Sequence, residues 1–227
     1  MAKKRIVLVD GHPVMRLGLS RLINLEPGFV VSGEAGTAAE ALELISKHRP
    51  DLVLVDISLP DRNGLELIKD LAVFHTGVPA VAFSAHDEAI YAERVLRAGG
   101  RGYVMKSEPG RKLLRAIRQV LEGRIFVSDN ISSRILEAFS GQEPQADGLP
   151  LQRLSNREFE VFQLIGQGNP SRAVAEHLHL SIKTVEVHRA NIKRKLGLKH
   201  AADLVRYAIQ CQPSGEAPLP QLREKGK

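Results

Sequence analysis

Four side chains of complementary chemistry stand where short apolar runs of this sequence end: Asp10 after RIVLV, Asp56 after LVLV, Ser84 after VPAVAF and Lys106 after RGYVM. Two carboxylates, a hydroxyl and an ammonium are the groups needed to pass a phosphoryl group to a carboxylate. Such a transfer takes a nucleophilic acid, positive charge against the transferring oxygens, and donors that hold the product. On that reading Asp56 is the acceptor, Lys106 and Ser84 contact the transferred group, and Asp10 and Asp56 hold a divalent ion. Mg²⁺ is the natural candidate, because it favours oxygen ligands and keeps waters. Each residue alone has a plainer reading as a helix cap or solvated turn residue. Their coincidence at four strand ends is what points to chemistry.

That coincidence requires a particular architecture. The apolar runs at 5–9, 29–35, 50–56, 78–83 and 101–105 alternate with segments of helical period at 13–25, 37–48, 64–72, 87–98 and 110–121. This predicts an α/β fold, a doubly wound parallel (βα)5 sheet covered on both faces. In such sheets ligands gather beyond the carboxyl ends of the strands, near the point where strand order reverses.

After Phe139 the sequence SGQEPQADGLP reads as a linker over 140–150, and 212–227 reads as a disordered tail. These bound two domains, 1–139 and 151–211. The second reads as all helix. Ser155 and Glu158 have capping-box spacing, Gly166 and Gly168 end the helix they begin, and Ser171 and Ser181 stand as caps of the next two. Gly197 stops the third helix and a last one covers about 200–210. A tight LHLS turn between short helices predicts a helix-turn-helix. In the helix from 182 to 196, the phase turns Ile182, Val185, Ile192 and Leu196 inward. It leaves Lys183, Glu186, Val187, Ala190, Asn191 and Arg194 outward. Val187 suits a thymine methyl and Glu186 a cytosine amino group. Lys183, Thr184, Arg189, Lys193, Arg194 and Lys199 suit phosphates. His188 reads as a packing residue.

Charge distribution supports the division. The 227 residues carry a net charge of +6; 19 basic and 17 acidic residues fall in 1–140, against 10 basic and 5 acidic in 153–210. A small basic unit joined to a nearly neutral one is compatible with double-stranded DNA as partner. The single cysteine, Cys211, excludes an intrachain disulfide. No apolar run reaches membrane-spanning length and MAKKRIVLVD does not form a signal peptide, so a cytoplasmic protein is expected. No GxGxxG, phosphate-loop lysine or Ser/His/Asp constellation supports an enzyme. An interaction adaptor whose basic domain no longer binds DNA remains the other class.

The stretches VDGHPVMR, VLVDISLPDRNGLE, AFSAHDE and GYVMKSEP resemble the receiver domain of two-component response regulators. The segment from LSNREFEVF to LVRYA resembles the LuxR-type DNA-binding domain of the NarL/FixJ class, and together the resemblance runs from residue 4 to 210. It implies that Asp56 is the phosphoacceptor, Ser84 the switch hydroxyl, Lys106 the phosphate-contacting lysine, and Tyr103 the aromatic whose burial accompanies activation. It also implies a histidine kinase as phosphodonor and a homodimer on DNA. Asp10 matches the first member of the family's acidic pair, and Gly11 stands where the second, the direct metal ligand, is normally found. With one carboxylate fewer, Mg²⁺ and the phosphoryl-transfer step are expected to be weakened. A receiver that works without phosphate, through dimerisation or a partner, is the alternative. Asp61 reads as a solvated turn residue, not as a substitute ligand.

Overall fold

The structure is a computed structural model that describes residues 2–139, 150–178 and 180–211, leaving aside the side chains of 138 and 139. The chain divides into two compact units, Met1–Gln145 and Ala146–Lys227. The expected linker over 140–150 lies, except for Pro150, outside the described residues, as does the tail over 212–227.

In the first unit five strands, β1 (Lys4–Val9), β2 (Phe29–Ala35), β3 (Leu52–Val55), β4 (Ala80–Ser84) and β5 (Gly102–Met105), alternate with helices. These are α1 (Pro13–Asn24), α2 (Ala38–His48), α3 (Gly64–Phe74), α4 (Glu88–Arg97) and α5 (Gly110–Leu121). Every strand pairing is parallel and the order is β2-β1-β3-β4-β5. The expected (βα)5 fold is therefore the one observed. The central strands are apolar throughout because both faces are covered. Ile6, Leu8, Leu52 and Leu54 pack with Leu19 and Ile23 of α1 and Leu113 and Ile117 of α5. The alternate set, Val7, Val9, Val53 and Val55, is buried as well.

Connection order turns between β1 and β3, and Val9 and Val55 are register partners there. The residues that follow them, Asp10 and Asp56, are thereby brought to one rim. A sixth helix, α6 (Asp129–Phe139), has no counterpart in the sequence reading. Phe126 before it adds a parallel bridge to Gly102, and Ser128 donates its backbone N–H to Glu88 at 2.8 Å.

The second unit is helical: a 3-10 turn (Pro150–Arg153), then α7 (Asn156–Gly166), α8 (Ser171–His177), α9 (Ile182–Leu196) and α10 (Ala201–Gln210). The capping box of Ser155 and Glu158 forms, Ser181 caps α9, and Gly197 ends it in the left-handed region at φ 68°. Glu158 also takes Lys195 of α9 at 2.6 Å. Val174, Val185, Ile192, Leu204 and Ala208 are buried with Phe159 and Phe162 of α7. Two local expectations are corrected. Ser171 is not a cap: Pro170 holds that place, and the Ser171 hydroxyl instead donates to Glu186 at 2.6 Å. Ile182 does not pack inward but is 51% exposed in the first turn of α9, one turn before the buried Val185.

Candidate functional site

Beyond the strand ends of the first unit, Asp10 and Asp56 are each 2% exposed. Their backbones are fixed by the sheet: the Asp10 N–H donates to the Ala35 carbonyl at 3.1 Å and the Asp56 N–H to the Val9 carbonyl at 2.7 Å. The Lys106 ammonium reaches both acids, 2.7 Å from Asp56 Oδ2 and 2.7 Å from Asp10 Oδ2. Lys106 is carried there by β5, and its N–H donates to the Ser84 carbonyl at 2.7 Å. The ammonium thus bridges two buried carboxylates, a charge arrangement that neutralises part of each.

The remaining oxygens are less well served. Asp56 Oδ1 is buried without a hydrogen-bond partner, and Asp10 Oδ2 has the Lys106 ion pair but no aligned donor. Burial pushes the Asp56 carboxyl above the ordinary carboxylate value; Lys106 pulls against that and Asp10 adds to it. Burial would lower Lys106, but the facing Asp56 and Asp10 carboxylates reverse this and hold the ammonium above its ordinary value. Asp10 Oδ1 accepts the backbone N–H of His12 at 2.8 Å, and Arg16 Nη1 donates to the Asp10 carbonyl at 2.6 Å.

Ser84 is fully buried, and its hydroxyl oxygen accepts the His86 N–H at 3.3 Å. Tyr103 is 1% exposed, and its phenol donates to the His86 carbonyl at 2.8 Å. Burial raises its pKa further. Two residues of this rim were missed by sequence reasoning. His12 brings an imidazole to within 4.8 Å of Asp10 and Asp56 oxygens, and His86 bonds Ser58 through Nε2 at 2.8 Å while stacking on Tyr91. The only sequence signal was their place just after strand ends. Asp61 is exposed as expected but is not merely solvated. Its carboxylate accepts the N–H groups of Ala38 and Ala39 at 3.0 and 3.1 Å, tying the loop after β3 to the start of α2.

In the second unit α9 presents Lys183, Glu186, Val187, Ala190 and Arg194 to solvent, with Lys199 exposed just beyond it. Val187 is 53% exposed, the largest apolar side chain on a face it shares with Ala190 and polar residues. Glu186 is shared between Ser171 and Arg189, whose Nε lies 3.8 Å away. The Thr184 N–H and hydroxyl both meet Ser181 Oγ. Arg189 and Lys193 are half-buried. His188 is half-buried too, with Nδ1 enclosed and unpaired. The surface is thus a mixed apolar and cationic face on the second helix of a helix-turn-helix.

Residues 6–118 match the response regulator receiver domain, and residues 152–208 match the luxR family of bacterial regulatory proteins. Over 91% of its length the chain is 31% identical to the oxygen regulatory protein NreC of Staphylococcus carnosus. It is 34% identical to NreC of Staphylococcus aureus, and 97% of each relative is covered. Among solved structures, a LuxR-family two-component response regulator from Aurantimonas sp. SI85-9A1 aligns with 61% of this chain and 99% of its own, at 35% identity and TM-score 0.56. RcsB from Salmonella enterica serovar Typhimurium, bound to promoter rprA in the presence of phosphomimetic BeF3-, aligns with 91% of this chain and 98% of its own. That likeness has a TM-score of 0.71 at 23% identity and shows the fold alone.

Proposed function

We propose that Asp56 is the phosphoacceptor that controls this protein, on the premise that the chain belongs to the response regulators in which a receiver domain is joined to a luxR-family DNA-binding domain. As a member it is a DNA-binding transcription regulator, not an enzyme. We assign the receiver to residues 1–139 and the DNA-binding domain to 151–211, around the matched spans 6–118 and 152–208.

The observation that carries the control is the Asp56 carboxylate, buried with Oδ2 on Lys106 at 2.7 Å and Oδ1 without a donor. Oδ1 has its lone pairs available to attack phosphorus, while the bond from phosphorus to the donor nitrogen or oxygen breaks and the pair leaves with the donor. Lys106 then follows the charge from carboxylate to phosphoryl oxygens, and the buried Ser84 hydroxyl turns to the product. A histidine kinase is the expected donor, which goes with a cytoplasmic location. The unpaired Asp56 Oδ1 and the neighbouring Asp10 carboxylate fit a divalent ion such as Mg²⁺. When bound, it supplies charge neutralisation for the transferring oxygens. With glycine at position 11, two carboxylates rather than three hold it, so binding is weak.

A second reading has its own support. Tyr103 is enclosed with its phenol on the His86 carbonyl, and Lys106 bridges both acids, so the receiver's own side chains hold one another in an inward arrangement. Intact-mass measurement after exposure to a small phosphodonor with Mg²⁺ separates the readings. Slow addition of one phosphoryl group, absent in Asp56→Asn, supports phosphorylation control through a weak site. Rapid stoichiometric addition overturns the weakness. No addition from a kinase or small donor leaves the phosphate-independent regulator.

For DNA, Lys183, Thr184, Arg189, Lys193, Arg194 and Lys199 are proposed as backbone contacts, and Glu186, Val187 and Ala190 as the face toward base edges. The tie of Glu186 to Ser171 makes it a positioner of α9 before it is a base reader. A dimer would place two such faces on paired half-sites.

A further inference from the structure

Gly11 separates Asp10 from His12, and the backbone there does not need glycine. Its φ is not in the left-handed region, and a Cβ would meet Pro60 Cδ at 3.3 Å and the Ser58 carbonyl at 3.7 Å, so a side chain there asks the Pro60 ring to give by a few tenths of an ångström. The missing carboxylate is therefore a change of donor set and not a demand of the fold.

What replaces it is visible beside it. One ligand atom each from Asp10, His12 and Asp56 lies within 4.8 Å of the others. The Asp56 side chain is 2% exposed with Oδ1 unpaired, whereas Asp10 Oδ2 faces the Lys106 ammonium at 2.7 Å, so the buried acceptor left with unmet demand beside this cluster is Asp56 Oδ1. The His12 side chain is 66% exposed, but it is not loose. Its backbone N–H donates to Asp10 Oδ1 at 2.8 Å, and the ring Nδ1 lies 3.2 Å from the same oxygen. Its imidazole is thus held beside the two acids and open to solvent.

We propose that Asp10, His12 and Asp56 form a mixed oxygen and nitrogen metal site, with the His12 imidazole as its third protein ligand and a first-row transition ion preferred over Mg²⁺. This rests on the reading that Asp10 and Asp56 face a cation. Mg²⁺ takes hard oxygen donors in near-ideal octahedral geometry and loses most when a carboxylate is removed. Divalent ions from manganese to zinc accept imidazole, with affinity rising along the series to copper. The exchange of one carboxylate for one imidazole therefore shifts the selectivity while keeping three protein donors.

The test uses the full chain and no phosphodonor, so it is independent of whether Asp56 is phosphorylated. Mn²⁺ is titrated and followed by electron paramagnetic resonance, with Mg²⁺ as competitor. The expected result is one bound ion that shows coupling to a directly coordinated imidazole nitrogen, lost in His12→Ala together with at least about tenfold in Mn²⁺ affinity. Asp56→Asn should remove the same ion, which separates it from metal on the other histidines. In Gly11→Asp, Mg²⁺ should bind at least about tenfold more tightly and His12→Ala should cease to matter. A bound ion that is lost in Asp56→Asn but has no nitrogen coupling would overturn the proposal. So would an affinity unchanged in His12→Ala, or no Mn²⁺ binding at all. Metal bound through His12 with no phosphoryl transfer would fail only the phosphoacceptor reading.

Discussion

His86 is held neutral by its surroundings: burial lowers its pKa from 6.5 to about 4, and the nearby Lys106 ammonium adds to that. A histidine depressed in the folded state binds fewer protons than in the unfolded chain between those two values. Its contribution to stability is complete above about pH 6.5 and is lost as pH falls toward 4. Urea unfolding of the receiver transition should accordingly show a loss on the order of 2 kcal/mol from this group between pH 7 and pH 5. In His86→Phe, which keeps an aromatic face for Tyr91, that part of the pH dependence should vanish. An unchanged slope would mean the ring is protonated in the folded protein. Neither His86 nor His12 was legible as part of the rim. The strand ends announced Asp10, Asp56, Ser84 and Lys106 because an apolar run must stop somewhere. Which loop residue folds back over the pocket depends on partners such as Ser58 that no periodicity reveals.

Among the elements, the first residue of α3, Gly64, stands against the backbone that leaves β3 with no room for a side chain. A Cβ at Gly64 would lie 2.1 Å from the Asp56 carbonyl oxygen, and the Gly64 N–H donates to the Ile57 carbonyl at 2.8 Å. Backbone stands against backbone there, so no side chain can give way. Gly64→Ala should cost about 1–3 kcal/mol of receiver stability and displace Asp56 from Lys106, slowing phosphoryl addition beyond what the stability loss explains. Unfolding and mass measurements on one preparation check both, and a variant with native stability and native modification would contradict the contact. The sequence made the five strands and five of the six receiver helices legible because burial on two faces leaves unbroken apolar runs. The missing one, α6, begins where the Ser128 N–H finds the Glu88 carboxylate, 40 residues earlier on α4. The Ser128 hydroxyl also caps this turn locally, accepting the Ile131 N–H at 3.3 Å, so a cap signal stood in the sequence and went unread. Ser171 errs the other way: local spacing names it a cap, but Glu186 on α9 claims its hydroxyl.

At the scale of the whole molecule, the proposed DNA face divides recognition between cationic and apolar side chains, and the division can be measured. The cationic excess of 10 basic over 5 acidic residues in 153–210 supplies attraction that any duplex satisfies. Val187, exposed among polar neighbours, gains nothing from a phosphate but gains from a thymine methyl. With a duplex selected from random sequence as operator, Lys183→Ala should weaken operator and unrelated DNA alike and reduce the salt dependence by about one unit of slope. Val187→Ala should leave unrelated DNA and the salt slope unchanged while costing about 1 kcal/mol, at the low end of a base contact, on the operator alone. Fluorescence anisotropy across a salt series reads both quantities. If both variants behaved like Lys183→Ala, α9 would be a phosphate rail and sequence would be read elsewhere. If neither changed binding, the exposed face of α9 would not be the DNA surface at all. The receiver enters through the same assay. Phosphorylated chain should bind paired half-sites more tightly than unmodified chain, while Asp56→Asn should show no gain after phosphodonor treatment. A gain that persisted in Asp56→Asn would remove phosphorylation of that residue from the control of DNA binding.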